Sequence, residues 1–583
     1  MSSIKFGLLV FLALLLSTTM KAQTLEEGKK FMYYERYQSA KNVFQKLVEV
    51  APVNPEAVYW LGISVMAAAD YSTKSLADAK DIYRKALEAN SNSALLIAAM
   101  GNVELREGKT QDARNRFETA LSLSQNKDLL VLTAVGMANS DFDNKYADPA
   151  YGIEKLKIAT NLKKFKEPSV YIYMGDAYKK MLDGGNAQIS YQSALNIDPK
   201  YARALYRIGK IYQTQGAGQE EIYLKYFNEA IEKDPAYAPV YKNLSDLYYN
   251  IEVTKSAVYL DKYLANTDDD PKNCYYRASM KYAQGLFKDA ITLADQCIAG
   301  STSPYPKLFG IQGYAFNRLG DSVSARKAFE NYIAKADQSQ IGSGDYATYA
   351  NVLFKLPGND SLAGIYIDKA VQLDTLESSK VSYLKTTALY FENQKNYKIA
   401  ADWYAKITNL KKDPTKTDLY YAGYNYFRSG NYTTSIEVFN KYSKKFPDDV
   451  FSYYMIGKSY WAIDTTMEQG LANPAFQKVI EVGLADKVKN KNQLVGSYKY
   501  FVVYYANIKK DKTAAMAYCD SVLVVDPADA EAASNKAVIA NMNMNPTPTT
   551  PAPPASKTTN PAANKPVGDK PSGAKKASPA TKQ

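Results

Sequence analysis

The sequence repeats itself with a period of 34 residues, and this spacing restricts the fold more than any other feature. Glycine and tyrosine pairs recur at that distance: Gly28 and Gly62, Gly175 and Gly209, Gly423 and Gly457, Tyr178 and Tyr212, and Tyr426 and Tyr460. A short unit that recurs at a fixed period cannot bury a core alone, so successive units must stack into one array. The period therefore predicts an extended array of similar stacked units.

Residues 168–199 show the repeating unit most clearly. In a 34-residue frame, positions 8, 11, 20, 24, 27 and 32 are taken by Gly175, Tyr178, Ala187, Tyr191, Ala194 and Pro199. This pattern resembles the tetratricopeptide repeat family, in which small residues let two antiparallel helices approach closely and proline follows the second helix. The resemblance implies an α-solenoid superhelix of about fourteen antiparallel hairpins across residues 23–542, with a closing helix within residues 528–542.

Several segments depart from the regular spacing. Four of them predict lengthened turns: residues 66–78, 139–150, 216–221 and 462–474. The hairpins near residues 251–271 and 491–527 match the frame poorly. The acidic run at residues 268–271 lacks the alternating ligands of a calcium loop, and it predicts a solvated turn at a helix end.

The two ends of the chain differ from the array. Lys5 and the apolar run at residues 6–16 indicate a secretory signal peptide, residues 1–22, because the run is too short to span a bilayer. A retained membrane anchor is the alternative. We expect an exported protein of a Gram-negative-like bacterium, either periplasmic or associated with the outer membrane. There is no cysteine near the cleavage site, so we do not expect a lipid anchor. No later apolar run is long enough for a transmembrane helix.

Residues 543–583 hold nine of the 24 prolines and few large apolar side chains, which predicts a disordered tail. The tail carries six lysines against one aspartate, so it contributes +5 of the total charge of +12. It either contacts an anionic cell-wall polymer or glycan, or serves as a tether. The array itself is nearly balanced in charge, which argues against nucleic acid as a partner.

The composition argues against catalysis. The chain has no histidine, the commonest general base and metal ligand. The glycine-lysine pairs at residues 108–109 and 457–458 lack the preceding glycine of a phosphate-binding loop. We predict no enzyme activity, no cofactor and no metal. Cys274 and Cys297 would lie on the two helices of one hairpin, where they either pair or fill space as buried thiols.

The resemblance places candidate binding residues on the first helix of each hairpin, at frame positions 2, 5, 6, 9 and 12, which line the concave face. An aromatic group at these positions comprises Tyr420, Tyr421, Tyr424, Phe427, Tyr454, Lys458 and Trp461. A basic group comprises Arg203, Arg207, Lys210, Lys242 and Asn243. Tyrosine suits a binding surface because its ring packs while its hydroxyl stays hydrogen-bonded. The alternative is that these rings belong to the core.

Arg203 and Arg207 match positions at which family members grip the C-terminal carboxylate of a peptide. The remaining positions of that clamp are occupied instead by Thr133, Met137 and Tyr173. The basic group is therefore either an incomplete clamp or a solvated strip. Taken together, the sequence predicts a scaffold of the cell envelope that binds partner proteins along a groove. The alternative is a protein that binds glycan or peptidoglycan through its aromatic face and basic tail.

Overall fold

The computed structural model describes residues 24–543, and these form 29 α-helices without a β-strand. Two compact units divide the chain between Ala370 and Val371. We call them unit 1 and unit 2 and describe each by itself. The predicted signal peptide and almost all of the predicted tail lie outside the described residues.

Unit 1 holds the first twenty helices, of which the last runs across its boundary. They are α1 (Leu25–Tyr33), α2 (Tyr37–Val50), α3 (Pro55–Ala68), α4 (Thr73–Ala89), α5 (Ala94–Arg106), α6 (Thr110–Leu123), α7 (Leu129–Ser140), α8 (Pro149–Thr160), α9 (Pro168–Lys180), α10 (Gly184–Ile197), α11 (Ala202–Thr214), α12 (Glu220–Lys233), α13 (Ala238–Tyr248), α14 (Val253–Asn266), α15 (Pro271–Ala283), α16 (Phe287–Ala299), α17 (Lys307–Arg318), α18 (Ser322–Lys335), α19 (Ser343–Phe354) and α20 (Asp360–Leu373).

Unit 2 holds the remaining nine helices. They are α21 (Glu377–Asn393), α22 (Tyr397–Leu410), α23 (Lys416–Arg428), α24 (Tyr432–Lys445), α25 (Val450–Ile463), α26 (Asn473–Gly483), α27 (Lys491–Val503), α28 (Lys512–Val525) and α29 (Ala530–Asn541). A π-helical turn, Tyr504–Lys509, continues α27.

Successive helices pair into hairpins, which we number 1 to 14 from α1/α2 to α27/α28. Within unit 1 and within unit 2, each hairpin packs on the next, and several first helices also contact the first helix of the following hairpin, as α3 contacts α5 and α25 contacts α27. The prediction of an all-α solenoid of about fourteen hairpins is confirmed for the described residues. Helix α29 lies within the range 528–542, where the sequence predicts a closing helix, and packs on α28.

Local sequence explains where the helices begin and end. Asn54 accepts hydrogen bonds from two backbone amides at the start of α3, and Pro55 follows at the first helical position. In most hairpins the chain reverses between the two helices through a left-handed residue, and Gly108 and Gly430 occupy that position at φ +81° and +79°. The glycine of the pair at residues 108–109 is therefore a turn residue.

Inside eight of the fourteen hairpins, a glycine at frame position 8 lies against an aromatic ring from the second helix. A Cβ atom on Gly175 would lie 2.3 Å from the ring of Tyr191, and one on Gly423 would lie 2.9 Å from Phe439. Both rings are fully buried. The glycine therefore lets the two helices of such a hairpin approach closely, which explains its recurrence at a spacing of 34 residues.

Two sequence predictions need correction, and one alternative is decided. The predicted long turn at residues 66–78 spans only residues 69–72, because Ser72 caps α4 and the extra residues lengthen that helix to seventeen. The acidic run is not a solvated turn, since Asp268 contacts the start of α2, as described below. Cys274 and Cys297 form a disulfide that joins α15 to α16.

Candidate binding surfaces

The first helices of hairpins 1 to 6 surround a cavity of about 1170 Å³ in unit 1. Its wall includes Trp60 of α3, Arg106 of α5, Met137 of α7, Tyr173 of α9 and Arg207 of α11. The side chains named here come from the same side of successive hairpins. The cavity is therefore the concave face of this part of the array.

Hairpin 1 closes one side of this cavity by contacting residues more than 200 positions away in the sequence. Asp268 accepts hydrogen bonds from the backbone amides of Gln38, at 2.8 Å, and Ser39, at 3.1 Å. Arg36, the residue before α2, does not cap the helix with its own side chain. Its Nε lies instead 3.3 Å from the same carboxylate of Asp268. Asp268 therefore caps α2 from the loop between hairpins 7 and 8.

The end of α1 makes a second contact with the array. Arg203 of α11 donates a hydrogen bond to the carbonyl oxygen of Met32, at 3.0 Å, and another to that of Tyr33. These carbonyls belong to the last turn of α1, where a helix carries partial negative charge. The hydroxyl of Tyr34 donates to Asp234 at 3.4 Å, and Lys272 forms an ion pair with Asp70. Arg203 thus binds a segment of its own chain.

The rest of the basic group is also partnered within unit 1. Arg207 pairs with Asp176 at 3.3 Å, and the side chain of Arg207 remains 29% exposed. Lys210 donates to Asn243 at 2.7 Å, and Lys242 pairs with its helical neighbour Asp246 at 2.7 Å. These five residues do not form one open basic strip, although Arg203 and Arg207 both lie on the cavity wall. Partner binding by this group stays a prediction.

The charges around Arg207 are not balanced. Burial, followed by the nearby charges of Lys179 and Arg207, lowers the pKa of Lys210. Burial and the charge of Arg207 likewise lower the pKa of Lys179, while Asp176 acts in the opposite direction. Three cationic side chains therefore lie close together beside a carboxylate that is already paired.

Several residues of the cavity wall were not predicted, because the frame positions were examined in only some of the hairpins. Trp60 occupies position 6 of its hairpin, Asn102 position 9 and Lys179 position 12, counted from the glycine at position 8. These belong to the same set of frame positions, 2, 5, 6, 9 and 12, that singled out Arg203 and Arg207. Applying the frame to every hairpin would have found them.

In unit 2, six side chains of α23 and α25 form what we call the aromatic face: Tyr420, Tyr424, Phe427, Tyr454, Lys458 and Trp461. The rings of Tyr420 and Tyr424 stack with their centroids 5.5 Å apart. The ammonium group of Lys458 lies 5.3 Å from the ring of Phe427 and 5.8 Å from that of Tyr454, so it joins the two helices. The first helices of hairpins 12 and 13 thus present one connected surface.

The aromatic face is neither core nor fully exposed. Tyr420, Tyr424 and Tyr454 are half-buried, and Trp461 is 36% exposed. Trp461 contacts the rings of Phe476 and Tyr500 rather than the other members of the face. Tyr421, in contrast, stacks on Tyr404 of α22 at 5.1 Å.

Sequence reasoning also missed the residues that hold Tyr424 in place. The guanidinium of Arg428 lies 5.7 Å from the ring of Tyr424 and 3.7 Å from that of Tyr397. Arg428 also donates a hydrogen bond to the Tyr397 hydroxyl at 2.6 Å and pairs with Glu392 at 3.4 Å. Only Arg428 lies on the same helix as Tyr424, so frame positions in one hairpin could not reveal this arrangement.

Within residues 24–543, no three cysteine, aspartate or glutamate side chains are grouped so that they could hold a metal ion. No helix in the described part of the chain is both long and apolar enough to cross a membrane.

Comparison with protein families found two matches, each to a tetratricopeptide repeat model. One covers residues 25–94, which include the whole of hairpins 1 and 2, and the other covers residues 419–449, most of which lie in hairpin 12. A comparison with curated proteins found no match.

Solved structures similar to this chain include other helical-repeat proteins. The C-terminal part of a TPR repeat-containing protein from Cytophaga hutchinsonii shares 25% identity, covering 45% of this chain and 98% of that one, with a TM-score of 0.30. Yeast Tom70 shares 14% identity over 69% of this chain and 94% of its own, with a TM-score of 0.34. PilW, a type IV pilus biogenesis factor, shares 20% identity over 35% and 91%, with a TM-score of 0.29.

Proposed function

Because the chain is a tetratricopeptide repeat protein, we propose that it is a non-catalytic scaffold of the bacterial cell envelope that holds a partner protein on its aromatic face. Proteins of this family are in general interaction scaffolds. The placement in the envelope rests on the signal peptide expected at residues 1–22. The aromatic face itself carries the proposal.

The chemistry of the aromatic face suits an extended peptide. Its half-buried rings are held in place by stacking, so little side-chain entropy is lost when a partner packs on them. The tyrosine hydroxyls can hydrogen-bond to a peptide backbone, which a purely apolar surface cannot do. Lys458 has no carboxylate within ion-pair distance among residues 24–543, so it is available to orient an acidic residue of the partner.

The concave face of unit 1 is less suited to this role. The end of α1 occupies Arg203, and hairpin 1 lies across one side of the cavity. A long partner segment could follow that face only if hairpin 1 moved. We therefore assign partner binding to unit 2.

The experiment that tests the proposal places a photocrosslinking residue at Thr417, which is exposed one turn before Tyr420. A second site at Val524, 69% exposed on α28, serves as the control position. In the bacterium that produces the protein, we expect a defined protein adduct from position 417 and none from position 524. The combined substitutions Tyr424→Ala and Trp461→Ala should lower the adduct yield at least tenfold, because loss of even one central aromatic side chain costs about 2 kcal/mol, which is roughly thirtyfold in affinity.

The matched control combines Val488→Ala with Val524→Ala, two exposed apolar side chains of unit 2 outside the aromatic face. These changes should leave the adduct yield unchanged. Binding to purified cell-wall polymer is measured in parallel. If the Tyr424 and Trp461 substitutions abolish polymer binding and spare the protein adduct, the glycan-binding alternative replaces the scaffold.

A further inference from the structure

We propose that the cavity of unit 1 binds a small organic oxyanion, a carboxylate or phosphate carried on a ring, with the oxyanion between Lys179 and Arg207. This site is independent of the aromatic face, which lies in unit 2. It would serve a small molecule rather than a protein segment.

Unmet hydrogen-bonding groups are concentrated around the cavity. Ten buried side-chain polar atoms of the described residues have no hydrogen-bond partner, and five of them belong to side chains of the cavity wall. They are Trp60 Nε1, Asn102 Oδ1, Arg106 Nε, Arg203 Nε and Arg207 Nε, and the last of these lies 3.3 Å from Asp176 Oδ1 in an ion pair without hydrogen-bond geometry. Buried polar groups are normally satisfied, so such a concentration indicates a place where a ligand completes the bonding. Four of these five atoms are donors, which favours a ligand rich in acceptors.

The charge pattern points to the same kind of ligand. Lys179 lines the cavity, and no carboxylate of the described residues lies within ion-pair distance of its ammonium group. The opposing charges that act on it are Asp176, which pairs with Arg207, and Asp143. Burial and the charge of Arg207 lower the pKa of Lys179, so an anion between the two would relieve their repulsion.

The wall also includes acidic residues, of which Asp143 and Asp176 act on Lys179 and the others lie elsewhere around the cavity. Asp141 pairs with Arg106, and Glu56 pairs with Lys29. Glu35 acts electrostatically on Arg203, at the side closed by hairpin 1. Near Lys179, the three cations Lys179, Arg207 and Lys210 outnumber the two carboxylates of Asp143 and Asp176. This excess of positive charge fixes the position of the oxyanion.

Aromatic rings beside Lys179 provide the contact for a ring-shaped body. The ring of Phe142 lies 5.3 Å from the Lys179 ammonium group and is 54% exposed. Tyr173 also lies on the wall, where the charge of Arg207 acts on its hydroxyl. The cavity volume of about 1170 Å³ slightly exceeds that of typical small-molecule pockets. It accommodates a compact metabolite and excludes a folded domain.

The test uses the full mature chain and follows binding through Trp60, which lies in the cavity wall. Substituting Trp403→Phe and Trp461→Phe leaves Trp60 as the only one of the three tryptophans. The probes are phenyl phosphate and benzoate, with benzyl alcohol as the uncharged ring and inorganic phosphate as the ringless anion. We expect at least one of the two aromatic anions to change Trp60 fluorescence saturably, about tenfold more tightly than either control compound.

The two anionic probes also distinguish the sources of the oxyanion. Tighter binding of phenyl phosphate identifies a phosphate ester as the ligand class, and tighter binding of benzoate identifies a carboxylic acid. If benzyl alcohol binds as tightly as the anions, or if neither anion binds at millimolar concentration, the proposal is overturned.

Variants locate the site. Lys179→Met should weaken binding of the anions about tenfold, and Lys179→Arg should retain most of it because the charge remains. Lys157→Met, an exposed lysine of α8 outside the cavity wall, is the control and should leave binding unchanged. Circular dichroism melting shows whether each variant is folded. Equal binding by the Lys179→Met and Lys157→Met variants would place the anion elsewhere and reject the site.

Discussion

At the scale of single residues, the glycine at frame position 8 and the ring it contacts determine how closely two helices of a hairpin pack. The same contact joins Gly62 to Tyr83 and Gly209 to Phe227, with hypothetical Cβ distances of 2.2 and 2.5 Å. Real Cβ atoms do not approach ring atoms so closely, so a side chain there must displace a buried ring. The repeated glycines are therefore required by packing rather than by the backbone conformation.

Gly175→Ala tests this interpretation. The added methyl group would meet the buried ring of Tyr191, and we expect the free energy of unfolding to fall by about 2 kcal/mol, as is common for overpacked cores. The matched control is Gly344→Ala in α19, where no atom lies within 4 Å of the added carbon. That change should be neutral or should stabilise the helix by up to ~1 kcal/mol. Urea unfolding followed by circular dichroism compares the two, and an equal effect in both would contradict the packing argument.

At the scale of helices, the contact between Asp268 and α2 replaces a cap that the local sequence does not supply. Helix α2 begins after Arg36 without a side-chain cap, whereas α3 has Asn54. Asp268 accepts from two amides of its first turn and also contacts Arg36. The stability of hairpin 1 therefore depends on a carboxylate contributed from another part of unit 1.

Asp268→Ala should loosen hairpin 1 without unfolding unit 1. Loss of a cap costs about 1 kcal/mol, so amide exchange in residues 25–50 should become several-fold faster while α9 and α11 keep their protection. Hydrogen exchange followed by mass spectrometry measures this peptide by peptide. Asp269→Ala is the control, since Asp269 is exposed beside it. Equal exchange in the two variants would show that the cap does not hold hairpin 1.

Most helices could be predicted from the sequence because their limits depend on local signals. The long loops at residues 141–148 and 464–472 fall within predicted lengthened turns. The prediction of a lengthened turn at residues 66–78 was wrong, because an extra turn of helix and an extra length of loop change the spacing between repeats in the same way. The contacts of Arg203 with α1 could not be predicted, since they depend on a curvature that accumulates over six hairpins. The frame indicated which side of α11 faces the concave surface, but not that α1 lies opposite it.

At the scale of the whole molecule, the protein is unusual in building its core from tyrosine. All 50 tyrosines lie within the described residues, and several of the largest fully buried side chains are tyrosines, including Tyr83, Tyr191 and Tyr349. Many of their hydroxyls have hydrogen-bond partners, as when Tyr191 donates to Asp176 at 2.6 Å, although the hydroxyl of Tyr237 has none. Such a core combines apolar packing with directional bonds, which helps to fix one arrangement of hairpins.

This core predicts a specific loss of stability at high pH. Burial raises the pKa of Tyr71, Tyr201 and Tyr249 to about 12, and raises that of Tyr83 and Tyr191 further, from an ordinary value of 10.0. Above pH 10 the unfolded chain releases these protons while the folded chain retains them, so the folded state loses stability as the pH rises toward 12. We expect phenolate absorbance to rise in two steps, a first near pH 10 from exposed rings and a second that coincides with loss of helical circular dichroism.

The chain in concentrated urea provides the reference and should titrate in a single step near pH 10. A single step near pH 10 in the folded protein, with its helical signal intact, would contradict the burial of these hydroxyls.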